Sequence, residues 1–414
     1  MSRILILSLV FPPDGVSTSI LFGELAEELK ALGHHITVLT TTPHYNEDKE
    51  ALMRQPLKPK LSGFYYESNF RGIPVIHAPI PMKRNRVVRR MLDYARFHII
   101  STIAGIMLSD KFDIILTPSP PLTNGLSAWL LGVFRRRPFV YNVQEIFPDI
   151  AVSLGVLKNK NIIRRIEWLE KFIYDRSDVV VVISDWFRKR LINKGISEEK
   201  IKVIPNFTDT DFMKPKNRQN GFSAVHGLND KFVVLYAGNI GLTQNFENIL
   251  AAASRLKHLK DLCLLIVGDG TRSKWLEKKL KKSYSNVKFL HYQPRSVIPE
   301  MYASSDVCLV PLKGGTAQET FPSKIYTIMS AGRPAIVAAD PDSELTWIVK
   351  QSGCGWAVPP DNEEALSDVI ERIYNQRDDI SKRGELGRKY VERYHSRRAV
   401  AEQYDLLIRR ITRK

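Results

Sequence analysis

Short, almost wholly apolar runs recur along the chain, and between them lie longer segments whose apolar positions return every three or four residues. Residues 4–10 read as a strand buried on both faces, followed by a Pro/Gly/Ser loop over 11–19 and a helix whose Leu21, Leu25, Leu29 and Leu32 form one stripe ending at Gly33. A second run, 36–41, comes at once, and the alternation returns at 112–116, 139–141, 179–183 and 202–204. Strands alternating with helices predict a parallel sheet wound on both faces. Residues 206–230 interrupt the rhythm; polar, rich in Asn and Gly, and without a sustained period, they read as a linker between domains. Beyond them come further strands at 233–236, 262–267, 287–290, 307–310 and 335–337, separated by helical stretches such as 246–257 and 273–282. The pattern predicts an α/β protein of two doubly wound domains, with ligand at the carboxyl ends of the strands and in the cleft between domains. The segment from Ala399 reads as an amphipathic helix whose packing partner the pattern leaves open.

Composition agrees with this picture. In 414 residues, 44% are hydrophobic and 25% charged, which suits two or three globular domains. The net charge of +17 points to a polyanion, an anionic membrane or a phosphorylated substrate. Positions 1–200 hold 28 basic and 20 acidic residues, and residues 51–100 alone hold 10 against 2, so the excess of the first half is a local patch. Cys263, Cys308 and Cys354 lack metal-ligand spacing and read as inert thiols of a reducing compartment. The opening apolar run is too short for a signal sequence or a membrane span, so a cytoplasmic protein is expected.

Candidate chemistry gathers at the strand ends. Gly238, Asn239 and Gly241 lie between a strand and a helix, where free backbone N–H groups can receive a phosphate. Gly268 and Gly270 flank Asp269 at another strand end, either for close approach to a ligand or as a plain turn, with Asp269 capping the next helix. The richest stretch runs from Gly314 and Gly315, read as a flexible pair, through Glu319 to Pro322, Ser323 and Lys324. A lysine in the first turn of a helix opposes the helix dipole unless an anion sits there, and a diphosphate would be such an anion. The Asp209-Thr210-Asp211 and Asp340-Pro341-Asp342 sequences read as turns or caps, so no metal site is assigned. Lys83, Arg84, Arg86, Arg89, Arg90 and Arg96 interleave with Val88, Met91, Leu92, Ala95 and Ile99 in the manner of a helix on an anionic membrane surface. Gln144 and Glu145 follow a strand, where a carboxylate can orient or deprotonate an acceptor hydroxyl. His34 and His35 read as structural or exposed, and no nucleic-acid module is present.

Taken in order, these segments resemble a known family. Phe11-Pro12-Pro13 with its Gly loop, Gly33-His34-His35-Ile36-Thr37-Val38, Val203-Ile204-Pro205-Asn206, Tyr236-Ala237-Gly238-Asn239, Val267-Gly268-Asp269-Gly270 and Pro322-Ser323-Lys324-Ile325-Tyr326 together look like glycosyltransferase family 4. The likeness is greatest to the bacterial branch that builds O-antigen and capsule and includes N-acetylfucosamine transferases. It implies a GT-B fold of two Rossmann-like domains facing across a cleft. Residues 1–207 would bind the acceptor and 208–395 a nucleotide-sugar donor, with a helix over 396–414 returning to the first domain. It also implies retention at the anomeric carbon without a metal or other cofactor, a UDP-sugar serving as co-substrate. The implied donor set is Gly238, Asn239, Gly241, Gln244, Gly268, Asp269, Gly270, Arg272, Ser323, Lys324 and Thr327. Glu319 takes the first place of the family's paired glutamates, and Thr327 stands in the second. Asn239 and Gln244 stand where many members carry Arg and Lys, which leaves diphosphate charge to Lys324 and Arg272. Gln144 replaces the common histidine beside Glu145. The acceptor side would comprise Gly15, Val16, Ser17, Gln144, Arg86, Arg89 and Arg90, with catalysis resting on Glu319, Glu145 and Lys324. The expected reaction passes a sugar to a polyprenyl-diphosphate-linked saccharide at the inner face of the plasma membrane. A nucleotide-sugar epimerase and a non-catalytic membrane scaffold are the alternatives.

Overall fold

A computed structural model describes residues 1–45, 49–81, 87–107, 111–281, 284–316 and 321–413. The chain forms two compact units, one of residues 1–148, 158–206 and 397–414, the other of 149–157 and 207–396.

The first unit is built on β1 (Arg3–Leu7), β2 (His35–Thr41), β3 (Lys58–Lys60), β4 (Tyr65–Phe70), β5 (Ile73–Ala78), β6 (Ile114–Pro118), β7 (Phe139–Val143), β8 (Val179–Val182) and β9 (Ile201–Val203). They form one sheet in the order β3-β4-β5-β2-β1-β6-β7-β8-β9. The central strands are parallel, with Ile4 opposite both Ile36 and Ile114, and Ile4–Leu7 and Ile114–Pro118 are buried on both faces, as their largely apolar sequences require. The β3-β4-β5 edge is antiparallel and was not anticipated by the apolar pattern. Tyr65–Phe70 carries only half-buried and exposed positions, so no apolar run marks it, and Pro59 suits the outermost strand. Arg71 and Gly72, at φ 51° and 79°, make the two-residue turn that joins Phe70 to Ile73.

Helix Arg397–Thr412 belongs to this unit. It packs on helix Ser17–Ala31, where Arg397 bridges Glu27 and Glu28, and buried His34 meets Asp405 at 2.7 Å.

The second unit holds β10 (Phe232–Ala237), β11 (Leu262–Val267), β12 (Val287–Leu290), β13 (Val307–Pro311), β14 (Ala335–Ala338) and β15 (Gly355–Val358) in the order β12-β11-β10-β13-β14-β15, with every pairing parallel. This is the dinucleotide-fold order, and its direction of winding reverses between β10 and β13. Alternate residues of β10 enter two separate cores, Val233 and Leu235 on one face, Phe232, Val234 and Tyr236 on the other.

Residues 207–230, read as part of a linker, are instead folded into this unit. Asp209 caps its own turn by accepting the N–H groups of Asp211 and Phe212, and Asn220 closes a capping box onto helix Gly221–Val225. Arg218 holds both carboxylate oxygens of Asp306 at 2.8 Å. Side-chain bonding replaces apolar periodicity here, which is why the pattern suggested a linker.

Candidate functional site

The carboxyl ends of β10 and β11 come together in the second unit. Gly238 follows β10 at φ 141° and Gly268 follows β11 at φ 146°, conformations that glycine alone adopts without strain. Gly268 leaves no room for a Cβ, which would collide with the Gly238 carbonyl. The two turns are cross-linked through their backbones: Gly238 N–H donates to Val267 O at 2.9 Å, Ile240 N–H to Asp269 O at 2.9 Å and Arg272 N–H to Ile240 O at 3.0 Å. They form a rigid floor.

Lys324 stands over it. Helix Lys324–Ser330 starts at this residue, preceded by exposed Ser323, which makes no side-chain cap. The lysine side chain turns back to the end of β10, where Nζ lies 3.0 Å from Tyr236 Oη and 4.1 Å from the ring centre. A Cβ on Gly238 would come within 2.6 Å of the same nitrogen. Tyr236 Oη in turn donates to Asn239 O at 2.5 Å, and its burial raises the phenol's pKa, keeping that proton in place. Part of the Lys324 surface is still accessible, but its ammonium is enclosed by protein, and this desolvation pushes its pKa down to about 7. Among the described residues its ammonium meets a hydroxyl and a ring face, and no carboxylate. Thr327 lies one turn further along the helix, half-buried.

Other members of the predicted set are engaged elsewhere. Asp269 does not cap the following helix; one carboxylate oxygen meets His291 Nδ1 at 2.7 Å and the other accepts Tyr292 N–H at 2.7 Å. Arg272, proposed as a second diphosphate cation, is held by both oxygens of Glu247 and stacks 4.0 Å from the centre of the Trp275 ring. Gln244 is buried and accepts the N–H of Gly241 at 3.2 Å. Gly314 and Gly315, expected to be flexible, are fastened by their N–H groups to Asp361 and Asp340. Gly270 lies beside Ile240 O in the same floor. Glu319 lies outside the described residues.

In the first unit, Gly15, Val16 and Ser17 form the loop into helix Ser17–Ala31. Buried Asp14 beside them accepts the N–H groups of His44 and Tyr45 at 2.9 and 3.1 Å, a role the sequence pattern missed. Gln144, after β7, is held from three sides: its N–H reaches Ser119 Oγ, its amide donates to Asn142 Oδ1 at 2.5 Å, and its carbonyl accepts from Asn206 at 2.7 Å. Asn142 donates onward to Tyr404 Oη at 2.7 Å. An asparagine within an apolar strand was the available signal. Glu145 reaches solvent beside this network, and partial desolvation raises its carboxyl pKa.

The basic helix is Val87–Met107. Lys83, Arg84 and Arg86 lie outside the described residues, as does the Arg89 side chain. Arg90 bonds Tyr94 Oη at 3.1 Å, and Tyr94 bonds Tyr45 at 2.8 Å, so Arg90 is half-buried and helps line a small cavity with His44. The helix packs inward through Phe97, Ile100 and Gly105, while Met91, Leu92 and Ile99 are exposed.

Residues 15–206 match the family described as glycosyl transferase 4-like domain, and residues 219–390 match glycosyl transferases group 1. Over 413 residues the chain is 25% identical to WcaI of Escherichia coli, a protein named as a colanic acid biosynthesis glycosyl transferase, covering 97% of this chain and 98% of that one. Among solved structures, sucrose-phosphate synthase from Thermosynechococcus elongatus superposes with a TM-score of 0.74 at 19% identity, over 99% of each chain. Anabaena HepE in complex with UDP-glucose gives 0.73 at 15% identity, again over 99% of each. The fold is therefore that of the GT-B enzymes.

Proposed function

The chain belongs to glycosyltransferase family 4, and on that premise we propose that it moves a sugar from a UDP-sugar to a polyprenyl-diphosphate-linked saccharide in cell-surface polysaccharide biosynthesis. The transfer retains anomeric configuration and uses no metal, and the enzyme works at the inner face of the plasma membrane. The observation that carries the donor half is Lys324, an enclosed ammonium over a glycine floor with no carboxylate partner among the described residues. An enclosed cation of this kind is completed by an anion. As the bond from the anomeric carbon to the diphosphate breaks, negative charge grows on the departing oxygens, and Lys324 with the N–H groups near Gly238 and Ser323 receives it. Glu319 holds the donor sugar and Glu145 orients the acceptor hydroxyl. The Gln144 network fixes the backbone from which Glu145 projects.

The name of WcaI supports the polysaccharide setting, and HepE with UDP-glucose supports the choice of donor. No helix among the described residues is long and apolar enough to cross a membrane, so contact with a lipid-linked acceptor would be peripheral. The test is transfer of labelled sugar from a panel of UDP-sugars to a polyprenyl-diphosphate saccharide in EDTA, with the product anomer assigned by NMR. Retained configuration at undiminished rate is expected. An inverted product, or interconversion of the nucleotide sugar without acceptor, would contradict the assignment.

A further inference from the structure

The loops that follow β10 and β13 are joined where the winding of the second sheet reverses, the place at which open α/β sheets take their ligands. Lys313 N–H donates to Thr243 O at 3.0 Å, Asn245 N–H donates to Pro311 O at 3.3 Å, and Gln244 pairs with Leu312. Every backbone N–H from Leu312 to Thr316 is satisfied within the protein. Leu312 donates to Ala338 O at 2.8 Å, Gly314 to Asp361 and Gly315 to Asp340 at 3.0 Å each, and Thr316 to Lys313 O at 3.2 Å. The Thr316 hydroxyl reaches the same Lys313 carbonyl at 2.7 Å. A surface turn can leave such groups to water; this one is fixed by two carboxylates brought from the loops after β14 and β15.

The fastened turn carries one charged side chain, the half-buried Lys313. Glu247 stands in the first turn of helix Phe246–Arg255, and its carboxyl is held below its ordinary pKa first by the Arg272 hydrogen bonds and then by the charges of Arg272 and Lys313. The Lys313 charge is therefore felt at the start of the helix that follows β10.

A diphosphate carries more than one negative charge and gains more as its bond to the sugar breaks, which a single lysine balances only in part. Residues 238–246, after β10, hold no charged side chain. After β11, Arg272 is given to Glu247. After β12, His291 meets Asp269 and Glu277 at 2.7 and 3.3 Å, and Arg295 lies over the Phe212 ring. The loop after β14 offers only Asp340 and Asp342. Lys313 is the remaining cation at these strand ends, and among the described residues no carboxylate holds its ammonium.

We propose that Lys313 is a second cation of the donor site and binds the diphosphate of the nucleotide sugar together with Lys324. The inference rests on the donor reading above and adds to it a binding residue at the point where the sheet reverses. The test is calorimetry of UDP, with displacement of labelled UDP by uridine and by inorganic pyrophosphate, on the full chain in EDTA. Wild type is compared with Lys313→Gln, Lys313→Arg and Lys324→Ala. Lys313→Gln should weaken UDP and pyrophosphate about tenfold, leave uridine unchanged and flatten the salt dependence of UDP binding. Lys313→Arg, which keeps the charge, should stay within about threefold of wild type. A Lys313→Gln protein that binds UDP as tightly as wild type, while Lys324→Ala does not, would overturn this inference and leave the donor reading standing. Equal losses for UDP and uridine would overturn it too, because they would make Lys313 a support of the turn. Wild-type protein that binds neither UDP nor pyrophosphate would remove the donor reading and this inference with it.

Discussion

Both units end parallel strands in polar loops, yet they leave those polar groups in opposite conditions. At the edge of the first unit, Gln144, Asn142, Asn206 and Tyr404 satisfy one another, and Asp14 is committed to the backbone of the His44 loop. At the edge of the second, the turns are equally rigid, but a cation has been enclosed with only a hydroxyl and a ring for company among the described residues. Satisfied networks hold geometry; an enclosed charge without a counter-charge costs stability and is kept where a ligand completes it. The first edge therefore reads as scaffolding for a single outward carboxylate, Glu145, and the second as a seat for an anion.

The contrast breaks most visibly at Lys324. Lys324→Ala should lower kcat/KM for donor by about 10²–10³-fold, the range for removing one preorganised group that meets developing negative charge. Thermal unfolding at pH 6 should show no matching loss of stability. Burial holds this lysine near pH 7 against an ordinary 10.5, so the folded chain binds fewer protons than the unfolded chain between those values. Its cost is then full below pH 7 and relieved as pH rises toward 10.5.

The first edge should respond in the opposite sense. Tyr404→Phe leaves the buried Asn142 amide without its partner and should cost about 1–3 kcal/mol in denaturant unfolding, while UDP affinity stays unchanged.

Titration sharpens the comparison further. A bound diphosphate favours the charged form of Lys324, so UDP affinity should fall about tenfold per pH unit above 7 and binding should take up a proton, read by calorimetry in buffers of different ionisation enthalpy. A flat profile between pH 7 and 9 would remove Lys324 from the anion seat. Least affected should be Arg272→Gln: with its guanidinium given to Glu247, UDP affinity should change less than about threefold, within the worth of an exposed pair.

Much of this arrangement is legible in the sequence, for identifiable reasons. Parallel strands buried on both faces must be uniformly apolar, so the cores of β1, β10 and β11 stand out. Lys324 stands out too, because a cation at a helix start is electrostatically out of place. The antiparallel edge is hidden because Tyr65–Phe70 is half exposed, and 207–230 is hidden because Asn220 and Arg218 fold it through side-chain bonds. Long-range pairs leave no local trace: Asn142 finds Tyr404 262 residues away, and His34 finds Asp405 371 residues away. Nor does periodicity say which residues of a helix face the sheet; Met91, Leu92 and Ile99, read as the apolar side of a surface helix, are exposed, while Phe97 and Ile100 of the same helix are buried.

The most direct measurement is titration calorimetry of UDP and GDP into the purified full chain in EDTA, for the wild type and Lys324→Ala. UDP binding that persists in EDTA and is lost in the variant is the predicted result. Binding that survives the substitution unchanged, or that requires a divalent cation, would contradict the assignment of the diphosphate to Lys324.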